Sequence, residues 1–144
     1  MELTGADLPA EWRVRRPTLE DVPAILAVVH ASDIAVVGYP DFTADDVREV
    51  LTAPATDPER DCWVALDPAG EIVAWSYLDN PNRGEREFVE VYVHPERGVP
   101  AQRPLLALAL PRVAERRAAF GLERMTLRAG AVLTERAWVE TLKG

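Results

Sequence analysis

Two side chains stand where proton transfer could be done. Glu90 lies in the run Phe88 to Val93, which alternates as a strand does: Val89, Val91 and Val93 on one face, Phe88, Glu90 and Tyr92 on the other. Aromatic neighbours on the same face would strip water from the carboxyl and raise its pKa, which a carboxylate needs if it is to accept a proton near neutrality. The competing reading is a solvated strand carboxylate, of the kind expected at Glu85 and Glu87. His94 titrates in the useful range but ends the strand before Pro95, and a structural histidine is the simpler reading. Cys62, the single cysteine, has Trp63 and Val64 beside it and reads as a buried core thiol rather than a nucleophile. Trp12, Trp63, Trp75 and Trp138 read as core residues. No metal site is assigned.

The elements that must position these residues follow from periodicity and caps. Trp12 to Arg16 alternates apolar and basic residues as a half-buried strand. Thr18 with Asp21 forms a capping-box start for a helix whose Leu19, Val22, Ile25, Leu26 and Val29 share one face, with Pro23 in its first turn. Ala31 to Asp41 holds Gly38 and Pro40 and reads as a loop. Thr43 with Asp46 opens a second helix that runs to Thr52, with Phe42 and Val47 spaced as a hydrophobic staple and Pro54 as its stop. Cys62 to Leu66 and Glu71 to Leu78 form a hairpin around Asp67-Pro68-Ala69-Gly70, and a turn at Asn80 to Gly84 leads into the strand that carries Glu90.

Leu105 to Phe120 reads as a helix closed by Gly121, with Pro104 in its first turn and Glu115, Arg116 and Arg117 solvated. Pro111 inside it predicts a kink costing about 3 kcal/mol unless the packing adapts. Met125 and Leu127 mark a fifth strand, and Thr134 to Leu142 a last short helix. The order βααβββαβα predicts an α+β (mixed α/β) fold, in which the Glu90 strand, the long helix and the Met125 strand make one right-handed crossover.

With 144 residues, 48% apolar and 28% charged, the chain fits one domain, residues 1–144. Sixteen basic against twenty-four acidic side chains leave a net charge of −8, which argues against nucleic-acid and anionic-membrane partners. Any anionic ligand must be held locally. Residues 1–11 lack the basic and apolar regions of a secretory leader, and no apolar run approaches the ~20 residues of a spanning helix. A single cysteine agrees with a reducing compartment, so a cytoplasmic location is expected.

This order, with Arg13-Val14-Arg15-Arg16-Pro17-Thr18-Leu19-Glu20-Asp21-Val22-Pro23-Ala24-Ile25 at the front and Val93-His94-Pro95-Glu96-Arg97-Gly98 after the Glu90 strand, resembles the GCN5-related N-acetyltransferase (GNAT) superfamily over almost the whole chain. The resemblance implies that the Glu90 and Met125 strands splay apart. In that family the pantetheine arm of acetyl-CoA lies in the opening and pairs with strand backbone, and the pyrophosphate rests at the start of the following helix. The matching positions are Tyr92 and Val93 for the pantetheine, and Arg97, Gly98 and Arg103 for the phosphates. Glu90 becomes the catalytic base, taking a proton from a primary-amine acceptor of unknown identity, with acetyl-CoA as co-substrate. The loop Ala31 to Asp41 matches the family's acceptor-selecting segment.

Three departures give a second reading. The family's turn, approximately Arg-Gly-x-Gly-x-Gly, is here Arg97-Gly98-Val99-Pro100-Ala101-Gln102-Arg103-Pro104, one residue shorter, with an amide lost at Pro100 and bulk added at Gln102. No tyrosine follows Tyr92 to serve as the family's general acid. The family's final β-hairpin is also absent after Lys143-Gly144, which predicts an open edge on the Met125 strand, covered by a second copy of the chain or by a second GNAT domain in a tandem protein. A non-catalytic GNAT-like module, packing or binding within such an assembly, is the alternative to an enzyme.

Overall fold

Six strands lie side by side in strict chain order: β1 (Glu2–Leu3), β2 (Arg13–Arg15), β3 (Cys62–Leu66), β4 (Ile72–Asp79), β5 (Arg86–Val93) and β6 (Thr126–Arg128). The structure is a computed structural model and describes residues 2–3, 8–53, 56–81 and 83–128. Neighbours β1 to β5 are antiparallel, and β5 and β6 are parallel, joined by α3 (Gln102–Ala119). The expected mixed sheet and its crossover are therefore present. The strand β1 was not expected from the sequence, because two residues are too few for an alternation to show.

The sheet separates two cores. On one face α1 (Val22–Val37) and α2 (Ala44–Thr52) bury Val22, Ile25, Val29, Val47 and Leu51 against Cys62, Val64, Trp75 and Tyr77. On the other, Leu105 and Ala109 of α3 pack on Val14, Trp63, Ala74, Leu78 and Val89. Cys62 is fully enclosed and burial pushes its thiol up to about 12, so the core reading of that residue stands.

Caps set the helix boundaries. Asp21 accepts the Thr18 N–H at 2.8 Å, and Asp46 accepts the Thr43 N–H at 2.8 Å while the Thr43 hydroxyl accepts the Asp46 N–H. The first helix does not stop where a loop was expected. It runs on through Ala31 to Val37 and ends at Gly38, whose φ of +90° is the left-handed cap conformation. No breaker precedes Gly38, and Asp33 then accepts the N–H groups of Asp41 and Phe42, so the loop contracts to residues 38–43. Leu19, expected on the buried face, is exposed in the turn before α1.

The long helix begins at Gln102 rather than Leu105, entered through a turn at Val99–Ala101. Its end is a Schellman cap at Gly121 (φ +70°): the Gly121 N–H donates to Ala118 O and the Leu122 N–H to Arg117 O. Pro111 does not break it. Both Pro111 and Ala107, whose carbonyl loses its partner, are exposed, so water can take the orphaned acceptor. The helix expected at Thr134 to Leu142 and the core role expected of Trp138 lie outside the described residues.

Candidate functional site

Pairing between β5 and β6 covers only the start of β5: Arg86, Glu87 and Phe88 sit opposite Thr126, Leu127 and Arg128. From Val89 to Val93 the strand keeps β4 on one side, and no described strand pairs with the other. That stretch carries Glu90, Tyr92 and Val93, three of the residues singled out by sequence.

The register of β4 and β5 decides what surrounds Glu90. Tyr77 lies directly across from it and Trp75 across from Tyr92. Glu90 is half-buried on the face covered by α1 and α2, between Phe88 and Tyr92 as the alternation predicted. The Tyr92 ring stacks on Trp75 at 5.8 Å between centroids and meets Phe42 at 6.0 Å. Tyr77 is the residue that the sequence reading missed. Burial, with the nearby Tyr92 and Glu90, raises its phenol well above the ordinary value, so it stays protonated as a hydrogen-bond donor. The sequence held no signal for it: counting back from Glu90 across a turn at Asn80 to Gly84 reaches Ala74, and only the observed register, with Asp79 opposite Phe88, brings Tyr77 there.

The turn that follows β5 brings Arg97, Gly98 and Arg103 to the start of α3. His94 organises it, since its Nδ1 accepts the N–H groups of Glu96 and Arg97, both at 3.2 Å, and its carbonyl accepts the Gly98 N–H at 2.8 Å. Its own N–H donates to Val73 O on β4 at 2.8 Å. Gly98 is buried against that contact, and a Cβ there would fall on the Val73 carbonyl oxygen. The Ala101 and Gln102 N–H groups are taken by Gly98 O and Val99 O. Pro100 has none to offer. Arg97 pairs with Glu71 through Nη1–Oε2 at 2.7 Å, both side chains about half exposed, while Arg103 is exposed. An anion at this turn would therefore meet side-chain guanidinium groups more than backbone amides.

At the other end of α3 a buried ion cluster replaces the solvated charges expected there. Arg116 is 2% exposed and places Nη1 2.7 Å from Asp61 Oδ2 and Nε 2.6 Å from Glu87 Oε1. Arg112 Nε lies 2.6 Å from the other Asp61 oxygen, and Asn80 Nδ2 donates to Glu87 Oε2 at 2.8 Å. Glu87 itself is fully enclosed, which corrects the expectation of an exposed strand carboxylate. Burial holds its carboxyl above the ordinary range against the pull of Asn80 and Arg116. Helical periodicity placed Arg116 outside because a lone arginine carries no mark of its ion-pair partners, Asp61 just before β3 and Glu87 on β5.

Among the described residues no group of His, Cys, Asp and Glu is placed to hold a metal ion, and no helix is long and apolar enough to cross a membrane. The sequence matches no protein-family model and no curated protein. Solved structures do match. A GCN5-related N-acetyltransferase from Sphaerobacter thermophilus superposes with a TM-score of 0.73 at 22% identity, covering 94% of this chain and 43% of that one. One from Kribbella flavida gives 0.56 at 22% identity over 74% of this chain and 67% of that one. A GNAT superfamily phosphinothricin acetyltransferase from Sinorhizobium meliloti, in complex with AcCoA, gives 0.52 at 18% identity over 73% and 59%. The chain thus spans less than half the length of the Sphaerobacter protein. At these identities the likeness is one of architecture: the chain has the fold of the GCN5-related N-acetyltransferases.

Proposed function

We propose that the protein is an acyl-CoA-dependent N-acetyltransferase that passes an acetyl group from acetyl-CoA to a primary amine. The observation that carries this reading is the fold shared with solved N-acetyltransferases, in which β5 bears Glu90, half-buried beside Tyr92, and leads directly into the turn of Arg97 and Gly98. Tyr92 and Val93 would line the pantetheine arm, and Arg97 and Arg103 would meet the phosphates beside Gly98. The Sinorhizobium relative, solved with AcCoA, supports this choice of donor.

Glu90 takes the proton from the acceptor ammonium, leaving a neutral amine to attack the thioester carbonyl. A C–N bond forms, the nitrogen gives up its second proton to solvent, the C–S bond breaks, and the departing thiolate is protonated from solvent. Tyr77, protonated and across the strand from Glu90, helps to keep the carboxylate in place by its position and polarity. The acceptor stays open; the charge of −8 suits a cationic amine.

A non-catalytic GNAT-like module is the second reading. It is favoured by the turn before α3, where the Glu96, Arg97, Gly98, Ala101 and Gln102 amides already have acceptors and Arg97 is paired with Glu71. Calorimetric titration with acetyl-CoA separates the two. Binding in the micromolar range, with Glu90→Gln lowering kcat by about 10²–10⁴ and leaving the acetyl-CoA affinity unchanged, supports catalysis. Binding weaker than about 1 mM removes the enzymatic reading.

A further inference from the structure

A second cleft, of about 320 Å3, has no lining residue from β5: Arg16 after β2, Arg60 before β3, Arg112 on α3, the apolar Trp63, Leu108 and Pro111, and one carboxylate, Glu115, form its wall. Three guanidinium groups from three separate elements meet there in a chain of net charge −8.

The protein fixes two of them and leaves all three incompletely matched. Arg16 lies 5.1 Å over the Trp63 ring and donates Nη1 to the Cys62 carbonyl at 3.0 Å, so its plane is set by stacking and one bond. Arg112 is anchored through Nε to Asp61, while its Nη1 comes no nearer than 3.9 Å to Glu115 Oε2. Arg60 Nε is 3.8 Å from Asp57 Oδ2. The last two separations are too long for hydrogen bonds. Burial is the largest influence on Arg16 and lowers its pKa, while the charge of Asp61 raises it and the smaller effect of Arg112 lowers it. An anion in the cleft would add to the partial neutralisation that Asp61 gives. Forked guanidinium groups favour carboxylate and phosphate, and three forks exceed what the two oxygens of one carboxylate can serve.

We propose that this cleft binds a small phosphate monoester, its phosphate held by Arg16, Arg60 and Arg112 and its apolar part against Trp63, Leu108 and Pro111. The site stands apart from the β5 edge and does not depend on acetyl transfer.

The test is calorimetric titration of the full chain with inorganic phosphate and with glycerol phosphate at constant ionic strength, first alone and then with saturating acetyl-CoA. The expected result is saturable one-site binding with Kd at or below about 1 mM, unchanged by acetyl-CoA and weakened about tenfold in Arg60→Gln. Arg60 is mostly exposed, so that variant keeps its fold, and Arg16→Lys should retain part of the affinity because the charge remains. Absence of saturable binding overturns the proposal. So does affinity unaltered in Arg60→Gln, or phosphate binding that acetyl-CoA displaces. Binding to phosphatidic-acid vesicles without binding to either soluble phosphate would likewise overturn it, by making the ligand a lipid surface.

Discussion

The two ends of α3 are held in opposite ways. Near the N-terminus the chain is pinned by backbone: His94 N–H to Val73 O, Gly98 N–H to His94 O, and a glycine where any side chain would strike β4. The charges there, Arg97 and Glu71, sit at the surface. Near the C-terminus the backbone does little of this, and side-chain charge does the fastening: Arg112 and Arg116 reach Asp61 at the start of β3 and Glu87 on β5, all but Arg112 essentially out of water. The same residue types thus differ in worth by position. An exposed arginine–carboxylate pair contributes little, whereas removing one partner of a buried set strands the others without solvent. The N-terminal charges stay at the surface, whereas at the C-terminal end Arg116 is buried with its partners.

The largest effect that would test this contrast is expected from Arg116→Met. It leaves Asp61 and Glu87 buried without their main counter-charge and should cost about 3–5 kcal/mol, read from denaturant unfolding. A loss below about 1 kcal/mol would mean that the cluster is solvated after all. Next comes Gly98→Ala, which must displace the β4–turn contact because the obstacle is backbone rather than a flexible side chain. A loss of about 1–3 kcal/mol in the same assay is expected, with weakened acetyl-CoA binding.

The pH dependence sharpens the comparison further. Burial raises the Glu87 carboxyl above its ordinary 4.5, so the folded protein holds that proton more tightly than the unfolded chain does. Its contribution is full below the ordinary value and is lost as pH rises through the raised folded value. Wild-type stability relative to Glu87→Gln should therefore decline from about pH 4 upward, measured as the difference in thermal midpoints. Asp21, held below its ordinary 3.8 chiefly by its bond to Arg15, behaves oppositely: its contribution is present above that value and lost as pH falls. A relative stability of Glu87→Gln that moves in the Asp21 direction would show that pairing, not burial, governs Glu87. The smallest change is expected from Arg97→Ala, below about 1 kcal/mol in unfolding, because the pair it breaks is half exposed. Its acetyl-CoA affinity should fall even so, since the proposed donor site relies on that charge.

Local signals were legible where one short segment contains its own reason. The capping boxes at Thr18 and Thr43, the turn ending at Gly70, the alternation of Val89, Val91 and Val93 and the cap at Gly121 each need only residues within one or two turns of chain. Hence the order of elements from β2 to β6, the mixed sheet and the face carrying Glu90 could be written from sequence. The extent of α1 could not, because Gly38 and Pro40 marked the loop while Ala31 to Val37 carried no signal strong enough to claim the helix. Arg116 and Glu87 read as surface residues because charge in a sequence is ordinarily solvated. What put them inside is the meeting of α3 with β5 and with the residue that precedes β3, since Arg116 lies 55 residues from Asp61 along the chain. Tyr77 beside Glu90 is of the same kind: strand pairing joins them, and pairing is fixed by register across the hairpin. The sequence by itself determined the elements and their faces, since these arise from neighbours in the chain. Only the tertiary structure decided which charges are buried and which amides are already bonded, because each depends on partners that the chain brings together only when folded.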